Sequence, residues 1–235
     1  MTHHVRLITP HITPRPHKRQ EFGDLLAPLR FSHVNIADGP PSIESLHDEV
    51  MCSPGVVASA RQAEADGVDA IIIDCVGDPG LHGAREAVSI PVIGPGEAGM
   101  HLAATLGHRF GVVTISDRVR PLLERNALLY GLRAKLASVQ AVEIGVLDID
   151  HSGDTLLPRL LDGAVQAIER DRADAILLGC TGFLGLSDKL SAALAARGTP
   201  VPVISPLQAA LMAAVTCLSL GLSHSRRAFP PPPRR

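Results

Sequence analysis

Tryptophan is absent from this 235-residue chain, tyrosine occurs once and phenylalanine five times, which leaves few rings on which a base or sugar could stack. Charge of one sign is equally scarce, since 22 Lys and Arg against 24 Asp and Glu give a formal net charge of −2. The basic residues are scattered and not gathered on one face, so nucleic acid is not an expected partner. No apolar run reaches bilayer length. The longest late stretch, Ala209 to Leu222, is interrupted by Thr216 and Ser219 and reads as a buried helix, so no membrane partner is expected either. The opening Met1-Thr2-His3-His4-Val5 lacks the apolar core of a secretory leader, from which a cytoplasmic location follows as an expectation. The four cysteines form no CxxC pair. Free thiols are expected in such a chain, and neither a disulfide framework nor a zinc site.

What is present is 46% hydrophobic residues and 20% charged ones, enough for one sizeable globular domain or two small ones. Val5 to Thr9 is a short strand closed by Pro10, followed by a polar, proline-rich loop from His11 to Gln20. Ser53 and Pro54 suit the cap and first position of a helix over Val56 to Asp66, which Gly67 stops. Val68 to Asp74 is a continuous apolar run, as a parallel strand covered on both faces requires. The alternation continues with a strand at Pro91 to Gly94, a helix at Glu97 to Leu106 and a strand at Phe110 to Ile115. Helices at Pro121 to Leu132 and Leu157 to Arg170 come next, then strands at Ala175 to Leu178 and Pro202 to Pro206. Such an order belongs to the α/β class with parallel sheets, whose ligands sit beyond the carboxyl ends of the strands.

The chain also repeats itself. Asp69-Ala70-Ile71-Ile72-Ile73-Asp74-Cys75-Val76-Gly77 returns 105 positions later, from 75 to 180, as Asp174-Ala175-Ile176-Leu177-Leu178-Gly179-Cys180-Thr181-Gly182. The same offset carries Arg6 to Thr9 onto Gly111 to Thr114, and an offset of 111 carries Pro91 and Pro95 onto Pro202 and Pro206. Glu97 thereby corresponds to Gln208. A duplicated α/β unit that ends one apolar strand of each half in a thiol can set two sulfurs on opposite sides of one cleft. Two such groups suit a proton transfer in which one thiolate removes an α-proton and the opposite thiol returns one to the other face. Backbone N–H groups after each cysteine could stabilise thiolate or a developing enolate, and no metal or coenzyme is needed. The bland reading of any single cysteine is a small buried hydrophobe. That reading suits Cys217 in its apolar helix, and Cys52, just before a helix, is taken as incidental.

These residues resemble a known family. Asp74-Cys75-Val76-Gly77-Asp78-Pro79-Gly80-Leu81 and Leu178-Gly179-Cys180-Thr181-Gly182 are similar to the two cysteine motifs of hydantoin racemases, a branch, with allantoin racemases, of the aspartate/glutamate racemase superfamily. Ser53-Pro54-Gly55, Glu64 to Ala70 and Pro91-Val92-Ile93-Gly94 with Glu97-Ala98 extend the likeness, which covers Val5 to Leu222. The resemblance implies two Rossmann-like domains related by a pseudo-twofold axis, residues 1–100 with the returning helix 207–222 and residues 101–206, and a substrate cleft between them. It implies Cys75 and Cys180 as the acid/base pair, amides or a hydroxyl from Val76, Gly77, Thr181 and Gly182, and Thr9 and Thr114 lining the cleft. A small-molecule substrate of hydantoin, allantoin or related amino-acid type and a homo-oligomer are further implications. Alternatives within the superfamily are a maleate-type cis–trans isomerase and an arylmalonate-type decarboxylase; outside catalysis, a small-ligand-binding protein could use the same cleft.

The chain departs from the family's Asn-Pro-Asn-Thr after the first strand, having Thr9-Pro10-His11-Ile12-Thr13. Thr13 is a candidate hydroxyl donor there. His11 reads as an exposed loop histidine, with a substrate contact or a third acid/base group as its alternatives, and His17, His82 and His101 are given no role. Asp78-Pro79-Gly80 is turn chemistry. Glu97 either complements a helix dipole or orients a substrate ureido group, Ser116 or Asp117 caps a helix, and Arg118 is solvated. The tail 223–235, Phe229 followed by four prolines and two arginines, is expected to be disordered or polyproline-like.

Overall fold

The computed structural model describes residues 2–27 and 29–233. The first half forms a parallel sheet in the order β2-β1-β3-β4. Its strands are β1 (His4–Thr9), β2 (Arg30–Asn35), β3 (Ala70–Ile73) and β4 (Val92–Ile93). The second half repeats it as β6-β5-β7-β8, from β5 (Phe110–Thr114), β6 (Leu136–Ala141), β7 (Ala175–Leu178) and β8 (Val203–Ile204). All pairings are parallel.

The repeat legible in the sequence holds to the level of single hydrogen bonds. Ile8 pairs with Ile73 in one sheet and Val113 with Leu178 in the other. At the strand starts the His4 amide donates to Asp69 Oδ2 at 2.7 Å, and the Arg109 amide to Asp174 Oδ2 at 2.9 Å. At the strand ends the Asp74 amide donates to Ile8 O and the Gly179 amide to Val113 O. The repeated Asp therefore anchors the start of the same two strands whose ends carry the cysteines. Ile71, Ile72 and Ile73 and their counterparts Ile176, Leu177 and Leu178 are all at most 1% exposed, each contributing roughly 1.5–3 kcal/mol by burial.

Helices α1 (Leu46–Ala65), α2 (Leu81–Ala87), α3 (Pro95–Leu106), α4 (Arg120–Leu129), α5 (Leu156–Glu169), α6 (Leu186–Ala196) and α7 (Pro206–Leu220) cover the sheets. The last of these returns to the first sheet, where Leu207, Ala210, Leu211 and Ala214 pack with Val5, Leu7 and Ile72. Among the described residues, no helix is long and apolar enough to cross a membrane.

Three expectations are corrected. Helix α1 does not begin at Ser53 and Pro54. It begins at Leu46 behind the cap Ser45, whose hydroxyl accepts from the Asp48 amide, and runs through Pro54. The true cap satisfies a free amide earlier in the chain, and the interior proline removes only one helical donor, which a 20-residue packed helix tolerates. Cys52 is consequently inside the helix, fully buried, with its thiol on Glu49 O. Strands β2 and β6, at the outer edge of each sheet, are additions to the sequence reading.

The third correction concerns the tail, which is docked over Ser223 to Phe229. His224 Nε2 accepts from the Val92 amide at 2.9 Å, and Arg226 Nη1 donates to Arg85 O and Val88 O at 2.9 and 2.6 Å. The Phe229 ring lies 5.7 Å from His82 and receives the Arg85 guanidinium at 5.5 Å. Arg226 satisfies carbonyls at the end of α2, so the segment is held by polar caps and one ring and needs no apolar face. Arg234 and Arg235 of the tail lie outside the described residues.

Candidate active site

In each sheet the chain leaves the first strand toward one edge and returns on its other side, so β1/β3 and β5/β7 are switch points. The cysteines stand there. Asp74-Cys75 follows β3 and Gly179-Cys180 follows β7. The structure brings the two thiols onto one cavity of about 40 Å³, lined by Cys75, Val76, Gly77, Gly179 and Cys180 with Ile43, Ile115, Val119, Leu122 and Leu123. Val76 and Thr181 are buried beside it.

Little space is left beside the glycine two residues after each cysteine, and a side chain there would have to turn a neighbouring Leu or Ile end aside. A Cβ on Gly77 would lie 2.8 Å from Leu122 Cδ2 and 3.5 Å from Cys75 Sγ; one on Gly182 would lie 2.9 Å from Ile149 Cδ1 and 3.3 Å from Cys180 Sγ. The Gly182 amide donates to Cys180 Sγ at 3.3 Å, and the Gly77 amide favours thiolate at Cys75 in the same way. The expectation of a thiolate-rich pair is nevertheless corrected. Both residues are partly buried, and burial pushes Cys75 well above the ordinary thiol range and Cys180 upward, because desolvation penalises the anion more than one amide favours it. Lys18 and Arg15 oppose the rise at Cys180, while Asp74 adds to it. A thiolate formed here is correspondingly a strong base.

The remaining sequence candidates sit around this centre. Thr9 is fully buried, its hydroxyl donating to Asp74 Oδ2 at 2.6 Å and accepting from His33 Nε2 at 2.7 Å. Thr114, also fully buried, donates to Gly179 O at 3.1 Å. Thr13 is half-buried and donates to Pro41 O at 2.7 Å. These three hydroxyls are thus engaged within the protein. His11 is not the exposed loop residue expected but 6% exposed, with Nδ1 unpartnered; burial lowers its pKa to about 4 against the pull of Asp74. Asp78 accepts from the Gly96 and Glu97 amides at 2.9 and 2.7 Å and from Tyr130 Oη at 2.7 Å, tying the Cys75 loop to α3 and α4. Glu97 pairs with Arg85, and Ser116 caps the turn at Asp117.

Sequence reasoning missed the polar residues that join the halves. Lys18, on the short 3₁₀ helix Pro16–Glu21, forms a buried ion pair with Asp74 at 2.9 Å and donates to Thr181 O at 2.8 Å. Asn126 of α4 donates to Gly77 O at 2.8 Å, and Glu21 accepts from the Gly185 amide at 2.7 Å. Among the described residues, no group of three or more His, Cys, Asp or Glu side chains is arranged to hold a metal ion.

The model of the Asp/Glu/Hydantoin racemase family matches residues 22–214. A hydantoin racemase of Pseudomonas sp. (strain NS671) is 39% identical over 188 residues, 80% of this chain and 74% of that protein. A hydantoin racemase of Rhizobium meliloti is 38% identical over 226 residues, 95% of this chain and 92% of that one. The solved allantoin racemase from Klebsiella pneumoniae superposes with a TM-score of 0.89 at 29% identity, covering 99% of this chain and 95% of its own. These matches run through both sheets and both cysteine loops, and the chain belongs to the Asp/Glu/hydantoin racemase family.

Proposed function

We propose that this protein is a racemase of a hydantoin-type small molecule, a 5-substituted hydantoin, allantoin or a related amino-acid derivative, working by proton transfer between Cys75 and Cys180. The observation that carries the reading is the pair of thiols on one cavity, each at the end of the equivalent strand of a duplicated unit. The relatives named hydantoin racemase support the substrate class.

In the step, the thiolate of one cysteine takes the proton from the carbon next to the carbonyl. The C–H electron pair moves into an enolate. The thiol of the other cysteine then gives its proton to the opposite face, re-forming the C–H bond and leaving the roles of the two sulfurs exchanged. Amides of Gly77 and Gly182, already directed at the sulfurs, stabilise whichever thiolate exists. A 40 Å³ cavity is close to the space of a single water, so the pocket between the thiols has to widen to take a ring substrate.

The test incubates single enantiomers of 5-substituted hydantoins, allantoin and free Asp or Glu with the protein in D₂O, following optical rotation and α-deuterium by NMR. Rotation decays with deuterium uptake in the wild type, and Cys75→Ser and Cys180→Ser each reduce it by at least about a thousandfold, the scale of losing an acid/base group. Racemisation that survives either substitution at the wild-type rate overturns the two-thiol scheme, whereas deuterium uptake by one enantiomer without loss of rotation is what a single remaining thiolate produces on its own face. If no substrate exchanges while both thiols remain reactive, maleate and arylmalonates are the next substrates to assay.

A further inference from the structure

Proton transfer between two fixed sulfurs needs their separation held, and a buried charge cluster links the residues that flank them. The Lys18 side chain is 4% exposed and that of Asp74 is fully buried. Lys18 Nζ donates to Asp74 Oδ1 at 2.9 Å and to Thr181 O at 2.8 Å, with Thr181 Oγ1 at 3.4 Å. The Thr181 hydroxyl in turn donates to Asp74 O at 3.1 Å. All three ammonium hydrogens thereby have acceptors. Asp74 immediately precedes Cys75 and Thr181 immediately follows Cys180.

We propose that Lys18 and Asp74 are positioning residues for the proton transfer, tying the strand end that carries Cys75 to the strand end that carries Cys180. The inference rests on the racemase reading above. The fold itself does not demand the pair. The offset of 105 sets Leu123 opposite Lys18 and Gly179 opposite Asp74, so the second half builds the same strand end without charge, closed by the Thr114 hydroxyl on Gly179 O. A buried ion pair can commonly be replaced by apolar residues at no cost in stability, and such a pair present in only one half is accounted for by what it holds in place. Neither Lys18 nor Asp74 lines the cavity between the thiols; they act through the residues they grip.

The double variant Lys18→Met with Asp74→Asn removes both charges together and keeps an acceptor for the Thr9 hydroxyl. Steady-state racemisation in both directions should show kcat lower by about 10- to 100-fold with KM within about threefold, since a displacement near 1 Å costs about a hundredfold. Circular dichroism and thermal unfolding establish that the variant is folded; if it is not, Lys18→Gln with Asp74→Asn, which also removes both charges and keeps a donor for Thr181 O, serves, with a several-fold loss of kcat. A folded variant with kcat within twofold of wild type overturns the proposal. Alkylation by iodoacetamide with peptide mapping supplies a readout free of substrate: the ratio of Cys75 to Cys180 rates should change at least threefold, and an unchanged ratio overturns the tie. Failure of the racemase reading shows separately, as wild-type protein that racemises none of the hydantoins, allantoin or amino acids while both thiols remain reactive; the alkylation ratio still reports on the tie in that case.

Discussion

Gly77 and Gly182 owe their place to their neighbours. A methyl group on either would press Leu122 or Ile149 and approach the adjacent sulfur. Gly77→Ala and Gly182→Ala should each lower kcat at least tenfold while costing about 1–3 kcal/mol of stability through overpacking, measured by steady-state kinetics and urea unfolding; alanine proteins with wild-type kcat would show that the sulfurs tolerate displacement. At this scale the cysteines were legible because a repeat marks them twice. Lys18 and Asp74 were not, because their bonds span 56 and 163 positions and no local pattern records such a partner. His11 was misplaced for a related reason: a loop histidine is buried only when other segments close over it.

Element by element, apolar runs located β1, β3, β5 and β7 because strands covered on both faces need unbroken hydrophobic residues. The edge strands escaped notice, since Arg30–Asn35 and Leu136–Ala141 are half-exposed and mix polar with apolar residues. The docked tail escaped for want of an apolar face. His224 Nε2 accepts from the Val92 amide when neutral and lies 3.0 Å from Val92 O, to which the protonated ring would donate; the balance favours the neutral ring. Burial and the nearby Arg85 lower the His224 pKa to about 4 from about 6.5 when unfolded. Between these values the unfolded chain binds the extra proton, so stability rises with pH there. The tail's contribution is present above about pH 6.5 and is lost as pH falls toward 4. A chain ended after Leu222 should melt below the full-length protein at pH 7.5, and the gap should narrow by pH 4 in calorimetry. A gap that is absent at pH 7.5, or constant with pH, would mean the docked segment contributes nothing through His224.

Across the whole molecule, each cysteine loop is gripped from the opposite half. Asn126 on α4 holds Gly77 O, and Glu21 holds the Gly185 amide; these two residues are themselves 105 positions apart. The reciprocity makes the two halves one unit despite their separate sheets. Asn126→Leu leaves the Gly77 carbonyl buried without a partner and should destabilise the protein by about 1–3 kcal/mol while lowering racemisation through the Cys75 loop. Wild-type protein should unfold in a single calorimetric transition. Two resolved transitions, or a variant within about 0.5 kcal/mol of wild type, would show that the halves are independent and the grip is idle.

The sequence by itself determined the α/β class, the duplication, the family and the two strand ends at which thiols stand, because hydrophobic period, turn residues and a self-match are local or repetitive signals. Only the tertiary structure decided that the thiols share one narrow, desolvated cavity, that burial raises the pKa of both, and that Lys18, Glu21 and Asn126 hold the loops around them. Desolvation and long-range hydrogen bonds exist only once distant segments meet, and no residue carries either property alone.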